Sequence, residues 1–278
     1  MNAECGVRNA DWPDAVRGMI AGQIRVMGAS ERGLGDGPVE AVHDLRVAIR
    51  RIRTLLRAFR KPLAGTGAGT LERRLQRLSK SLGPARDADI WLRFLLTDPA
   101  VRPLAARRAW PAFLAREEAA RGRRRRAAGR ILAGEPSQRL CRDLERFMDS
   151  LNPTRRRFAP LAEKALKRQL ARVAERSRIG PRFAPGPVHR LRIACRRARY
   201  LAEFFGPVLG ADVRRLARQM RAVQNVLGDL HDRDVCAARL RRAAGPLPAA
   251  AAAALADERR RDLERFRKAW KRVPHAAG

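Results

Sequence analysis

The chain contains one long motif twice. Val42-His43-Asp44-Leu45-Arg46-Val47-Ala48-Ile49-Arg50-Arg51-Ile52-Arg53 returns as Val188-His189-Arg190-Leu191-Arg192-Ile193-Ala194-Cys195-Arg196-Arg197-Ala198-Arg199, which places His43 and His189 146 residues apart. A second block, Leu82-Gly83-Pro84-Ala85-Arg86-Asp87-Ala88-Asp89-Ile90, returns as Leu227-Gly228-Asp229-Leu230-His231-Asp232-Arg233-Asp234-Val235 at an offset of 145. A weaker third match sets Ile20 and Ile24 against Leu166 and Leu170. Three matches at offsets of 145 or 146 residues mean that a single structural unit is repeated. Any fold must therefore be built from two copies. The seam is placed near Asn152-Pro153-Thr154, giving one domain over 11–272 made of repeats 11–152 and 153–272, with tails 1–10 and 273–278.

Each copy reads as helix only. Ala, Leu and Arg dominate, Val, Ile and Thr are sparse, and no alternating strand-like run of useful length occurs. Breaks are expected in the first copy at Gly33 to Pro38, Pro62 to Gly69, Gly83-Pro84, Asp98-Pro99 to Pro103 and Gly134 to Pro136. In the second they are expected at Gly180 to Pro187, Gly206-Pro207, Gly228 and Gly245 to Pro248. Antiparallel helices of about three to seven turns, joined by short loops, make a bundle. The expected fold class is all-α, with two antiparallel four-helix bundles related by a pseudo-twofold.

The repeated helix carries two stripes. Val42, Leu45, Ile49, Ile52, Leu56 and Phe59 follow steps of three and four, as a core-facing stripe does. One residue later His43, Arg46, Arg50, Arg53, Arg57 and Arg60 follow the same steps, a basic stripe turned by about 100°. The second copy repeats the pair as Val188, Leu191, Cys195, Ala198 and His189, Arg192, Arg196, Arg199, until Glu203 ends its basic stripe. A solvated helix face normally mixes acids with bases at i,i+4. Like charges stacked one turn apart instead call for a counter-anion.

Overall charge agrees: 61 basic residues face 28 acidic ones, a formal net charge of +33. A GC-rich coding bias accounts for six lysines against 55 arginines, but not for the excess of bases. Self-repulsion on this scale favours an anionic partner. Guanidinium groups bind phosphate oxygens in pairs. Aromatic residues are only 5 %, which disfavours base stacking on single-stranded nucleic acid and leaves a ligand made only of phosphates unaffected.

These residues resemble the CHAD family, the conserved-histidine α-helical domain. The doubled V-H-x-L-R-[VI]-A-x-R-R-x-R helix and the doubled L-G-x-x-[RH]-D-x-D-[IV] block carry the resemblance from about Asp11 to Trp270. It implies two four-helix bundles and the binding of inorganic polyphosphate along a basic groove or pore between them, with association with polyphosphate granules in several members. Carried onto this sequence, the ligand-facing residues would be His43, Arg46, Arg50 and Arg53, with His189, Arg192, Arg196 and Arg199; Arg51, Arg57, Lys80 and Arg197 are additions on the same helices or beside them. Lys80 has no basic counterpart, since Asn225 takes the matching place. The E-x-E-x-K signature of the triphosphate-tunnel domain fused to many relatives does not occur. The alternative partner is RNA or DNA on the same basic surface.

Other motifs carry less. Asp87-x-Asp89 and Asp232-x-Asp234 suit capping or bracing of nearby arginines better than one metal ion. His43 and His189 are open to two readings, a phosphate donor near a helix start or a structural partner of those aspartates. Gly65-Thr66-Gly67-Ala68-Gly69-Thr70 lacks the Gly-Lys-Ser/Thr of a P-loop. The Arg121-Gly122-Arg123-Arg124-Arg125-Arg126 run presents charge all round its helix, so part of it is plain surface. Cys5, Cys141, Cys195 and Cys236 are scattered as in a reducing cytosol. The expectation is thus a non-enzymatic binder without metal or other cofactor, cytoplasmic, with no signal peptide and no membrane span.

Overall fold

The structure, a computed structural model, describes residues 11–32, 40–154, 156–179, 183–244 and 249–273. Its elements are α1 (Trp12–Arg32), α2 (Glu40–Ala58), α3 (Ala68–Ser81), α4 (Gly83–Thr97), a 3-10 turn (Pro99–Val101), α5 (Arg102–Ala105), α6 (Trp110–Ala133), α7 (Glu135–Asp149), α8 (Phe158–Ser177), α9 (Pro185–Leu209), α10 (Ala211–Ala244) and α11 (Ala249–Trp270). Among the described residues there is no strand, only an isolated bridge between Asp11 and Arg157. No helix among them is long and apolar enough to cross a membrane.

Most breaks fall where proline and glycine place them. Prolines occupy the first turn of α4, α6, α7 and α9, where the missing N–H has no intrahelical partner to lose. Asp98 ends α4 and accepts a hydrogen bond from the Ala100 N–H at 3.0 Å. Two expected breaks in the second copy are corrected. Pro207 lies inside α9, near its end, and the chain turns at Gly210 (φ 96°) instead. Gly228 breaks nothing: α10 runs through it for 34 residues, about nine turns, longer than any helix expected. Its counterpart Gly83 is followed by Pro84, which stops the incoming helix; Gly228 is followed by Asp229, which does not. The second copy's repeated helix also begins two residues before Pro187, at Pro185. The breaks expected around 33–38 and 245–248 lie outside the described residues.

The apolar stripes are core, as their spacing indicates. Val42, Leu45, Ile49, Ile52, Leu56 and Phe59 are buried, and so are Val188, Leu191, Cys195 and Ala198. Each large aliphatic side chain so buried contributes roughly 1.5–3 kcal/mol. Around them α2 packs on α1 and α3, α9 on α8 and α10, α4 on α6, and α10 on α11. Between copies, α1 meets α8, α2 meets α9 and α4 meets α10. Each of these joins a helix to its own counterpart, with α4 matching the second half of α10.

The cores cross the seam as well. One joins α1, α2, α3 and α7 to Phe158 of α8 and Phe205 of α9. Its centre is an aromatic cluster in which Phe59 lies 6.2 Å from Trp12, 5.8 Å from Phe158 and 5.9 Å from Phe205, centroid to centroid. Trp12 and Phe158, and likewise Phe59 and Phe205, are 146 residues apart, so the cluster is itself a duplicated element. A second core sets Trp91, Phe94 and Trp110 against Cys236, Leu240 and Leu255. A third is built from the second copy and from Val273, the last described residue, one position beyond the repeat as bounded from the sequence.

Candidate functional site

The two repeated blocks, some forty residues apart in sequence, pack against each other in each copy. Gly83 lies beside Arg46: a Cβ on the glycine would stand 3.5 Å from Arg46 Nη1. Gly228 lies beside Arg192 in the same way, at 3.9 Å from Nε. The glycine of the second block thus lies against the arginine of the first, at a distance where a methyl group would make ordinary contact. Arg46 also donates to the Ser79 carbonyl at the end of α3, and Arg192 lies 3.8 Å from Asp232. The second aspartate of each D-x-D is a brace. Asp89 accepts from Arg121 Nε of α6 and Asp234 from Arg259 Nε of α11, both at 2.8 Å. That is the bracing reading of the sequence, and it assigns Arg121 of the arginine run to structure. Among the described residues no three His, Cys, Asp or Glu side chains converge as a metal site requires.

The two basic stripes meet at Arg50. Its charge acts on His43, Arg46 and Arg86 of its own copy and on Arg192 and Arg196 of the other. Burial, and then Arg50, hold Arg196 down to about 9 and Arg46 down to about 10; Arg86 and Arg192 are lowered chiefly by burial too. All remain cationic at neutral pH, so the depression measures desolvation and mutual repulsion that an anion would relieve. Among the described residues no carboxylate lies at ion-pair distance from Arg46, Arg50, Arg86 or Arg196. Asp87 and Asp232 offset part of this charge from farther away. The Nε groups of Arg46 and Arg50 are buried without a hydrogen-bond partner.

Three histidines border this cluster. His189 Nδ1 is 3.2 Å from His231 Nε2, with ring centroids 4.5 Å apart. In the first copy the place of His231 is taken by Arg86, whose charge acts on His43. Burial comes first and neighbouring arginines second in pushing His43 and His231 down to about 4; His189 is lowered by the same causes. All three are neutral at pH 7 in the free protein. Among the described residues neither His43 nor His189 is hydrogen-bonded to an aspartate of the D-x-D pairs; His189 meets His231 instead.

The other sequence-selected residues lie elsewhere. Arg51 pairs with Glu203 across the copies and lies over the Phe204 ring at 4.5 Å. Arg199 lies 3.7 Å from the same Glu203 and over Tyr200. Arg53 and Arg57 reach Glu72 of α3 at 2.8 and 2.7 Å. Arg197 faces Arg57 and Arg172. Lys80 is exposed on the last turn of α3. Arg86 and His231 are central and were not selected, although a signal existed: they fill the [RH] place of the second block, basic in both copies. The Cys195 and Cys236 thiols are buried, which pushes both up to about 12, so they stay protonated.

A duplicated all-helical domain with a half-buried cluster of arginine and histidine between its copies defines the class. The particular family follows from comparison: the CHAD domain matches residues 18–241, and the chain belongs to the CHAD family. It shares its fold with the crystal structure of the CHAD domain from the plant Ricinus communis, with a TM-score of 0.75, 22 % identity, and coverage of 96 % of this chain and 94 % of that one. PptA from Streptomyces chartreusis is similar too, with a TM-score of 0.71, 22 % identity, and coverage of 95 % and 100 %. No curated protein sequence matches the chain.

Proposed function

We propose that the protein binds inorganic polyphosphate without catalysis, on the face where its two copies meet. The observation that carries this reading is the convergence of both basic stripes on Arg50, where Arg46, Arg50, Arg86 and Arg196 have no carboxylate at ion-pair distance among the described residues and Arg192 has only Asp232, at 3.8 Å. A helical domain that spends burial on like charges gains stability when a flexible polyanion fills the gap. His43, Arg46, Arg50, Arg86, His189, Arg192, Arg196 and His231 form the centre of the proposed site. Arg53, Arg57 and Arg197 continue the basic line along α2 and α9, and Lys80 extends its edge. Arg51, held by Glu203 across the copies, positions the two helices that carry the site, while Arg199 approaches the same carboxylate from within its own helix. Membership of a family that is generally a non-catalytic binding domain supports a module rather than an enzyme.

The two copies are read as two antiparallel four-helix bundles, 11–152 and 153–272, related by a pseudo-twofold. Contacts between counterpart helices support that arrangement. Polyphosphate granules are the proposed place of action.

The test is equilibrium binding of purified protein to polyphosphate and to RNA across a salt series. Each neutralised phosphate releases a counterion, so about eight contacts at about 0.7 each give a log–log slope of roughly −5 to −6. Phosphate released by acid hydrolysis, without absorbance at 260 nm, is expected in material that co-purifies. Nuclease-sensitive absorbance that polyphosphate cannot displace would assign the surface to nucleic acid.

A further inference from the structure

Exchanging the two copies maps Arg51 onto Arg197 and Glu203 onto Arg57, because each pair is 146 residues apart. The same cross-copy contact is therefore made twice with opposite chemistry. On one side Arg51 donates to Glu203. On the other, Arg197 meets Arg57. The carboxylate that satisfies the first contact has no equivalent in the second.

Around that unsatisfied contact the charge is increased. Arg57, Arg168, Arg172 and Arg197 line a cavity of ≈ 60 Å³ between α2, α8 and α9, with Thr54 and Gln169 in its wall. Arg57 has Glu72 on its far side, and Arg168 donates to the Ala58 carbonyl at 2.9 Å. Among the described residues no carboxylate lies at ion-pair distance from Arg168, Arg172 or Arg197. Burial, then Arg57 and Arg172, hold Arg197 down to about 10. Arg168, Arg172 and Arg176 recur one turn apart on α8, whereas the matching positions of α1 are Gly22, Val26 and Ser30. The basic face of α8 thus belongs to one copy only, beside the contact that lacks its acid. Arg57 and Arg172 also stand in the wall of an open cleft of ≈ 630 Å³, which gives a route in from solvent. The cavity lining holds no aromatic side chain on which a base could stack.

We propose that Arg57, Arg168, Arg172 and Arg197 form a second anion pocket, apart from the Arg50 cluster, that takes a single phosphate group. Two sources share that chemistry: free orthophosphate, and the terminal phosphate of a chain. The terminal-phosphate source rests on the polyphosphate reading; the orthophosphate source does not. Guanidinium groups converging from three helices suit a tetrahedral oxyanion. The phosphate would do for Arg197 what Glu203 does for Arg51.

Thermal unfolding of the full chain with and without orthophosphate tests the pocket. At ten times its Kd, phosphate should raise the unfolding temperature of the wild type by about 2–4 °C. Arg172→Gln, at an exposed helix position, should abolish that shift. Arg172→Glu supplies a carboxylate from within, so it should raise the phosphate-free unfolding temperature and also abolish the shift. A full phosphate shift in Arg172→Gln, or none in the wild type, overturns the pocket. Tripolyphosphate and long polyphosphate distinguish the sources. Capture of a chain end shows as a several-fold loss of affinity for both in Arg172→Gln, and a pocket for free phosphate alone leaves both within about twofold. Failure of long polyphosphate to bind the wild type overturns the functional reading instead and leaves the orthophosphate result standing.

Discussion

In the first copy the motif histidine, His43, feels the charge of Arg86; in the second, His189 touches His231. In the first copy the second block opens a new helix at Gly83; in the second the helix runs on through Gly228. Ala88 is buried in the first, while Arg233 at the matching place gathers Asp98, Glu258 and Asp262. Held constant are the packing devices: the apolar stripe, the glycine beside the arginine, and the D-x-D brace. What differs is which cations find an acid inside the protein. Duplication sets where side chains sit, and their charge balance is then set separately at each of the two places.

The largest effect should come from making the copies alike at one such place. Arg233→Ala installs the first copy's residue in the second. It strips the fully buried Asp262 of one partner and breaks the bridge to Asp98 of the first copy. Removing one side of a buried ion pair costs about 3–5 kcal/mol. Denaturant unfolding should show that loss, and a variant as stable as the wild type would mean that Arg265, which also donates to Asp262 from one turn away on α11, neutralises it alone.

Next in size is Arg50→Ala, which removes the charge felt by both copies. Polyphosphate affinity should fall by about 1.5–3 kcal/mol, roughly 10- to 150-fold. Arg50→Lys should lie between the variant and the wild type, since charge remains and paired hydrogen bonding is lost. Arg199→Ala, at a residue already held by Glu203, should change affinity far less. Equal losses at Arg50 and Arg199 would erase the distinction between satisfied and unsatisfied arginines.

The histidines give a smaller, pH-dependent effect. In the folded protein His43 and His231 stand near 4, below the 6.5 of an unfolded chain. The unfolded state therefore binds more protons as pH falls, and stability present above about 6.5 is lost progressively toward 4. Ligand affinity should move the opposite way. A bound polyanion raises the histidine pKa, so binding takes up protons. Affinity then rises as pH drops toward 4, by at most about tenfold per unit for each proton. Replacing His43, His189 and His231 by Gln should flatten both profiles, and an unaltered binding profile would leave the histidines with packing alone.

The smallest effect contrasts the two glycines. Gly228 is interior to a helix, and a Cβ there meets Arg192 at an ordinary 3.9 Å. Gly228→Ala should stabilise by about 0.5–1 kcal/mol. Gly83→Ala, at a helix start and at 3.5 Å from Arg46, should gain less. Thermal unfolding of the two variants compares them directly; a larger gain at Gly83 would contradict the assignment of both glycines.

Much of this was legible in the sequence, and the limits have physical causes. The repeated helix, its two stripes and the burial of the apolar one follow from period alone, because an apolar stripe has only one place to go. The uninterrupted α10 departs from expectation because a glycine alone, without the proline that follows Gly83, does not end a helix. The fates of Arg51 and Arg197 were illegible: both sit at one position of the motif, and Glu203 and Arg57, which decide between them, come from the other copy. Arg86 and His231 carry a signal, being basic in both blocks, but the period of one helix does not show that the second block packs beside the basic stripe of the first. The Arg168, Arg172 and Arg176 face could be read as spacing on α8, but not as the wall of a pocket, which needs α2 and α9 beside it.

The central claim is that one chain of phosphates engages both copies at once. The direct measurement is affinity against polyphosphate chain length, at fixed salt, for the wild type, for Arg46→Gln with Arg50→Gln, and for Arg192→Gln with Arg196→Gln, with thermal unfolding as a folding control. A chain held by one copy meets the other at high effective concentration. Each double variant should therefore lose far more affinity for long chains than for short ones, and the two should lose it alike. If each loses the same factor at every length, the copies bind independently and no single chain spans them.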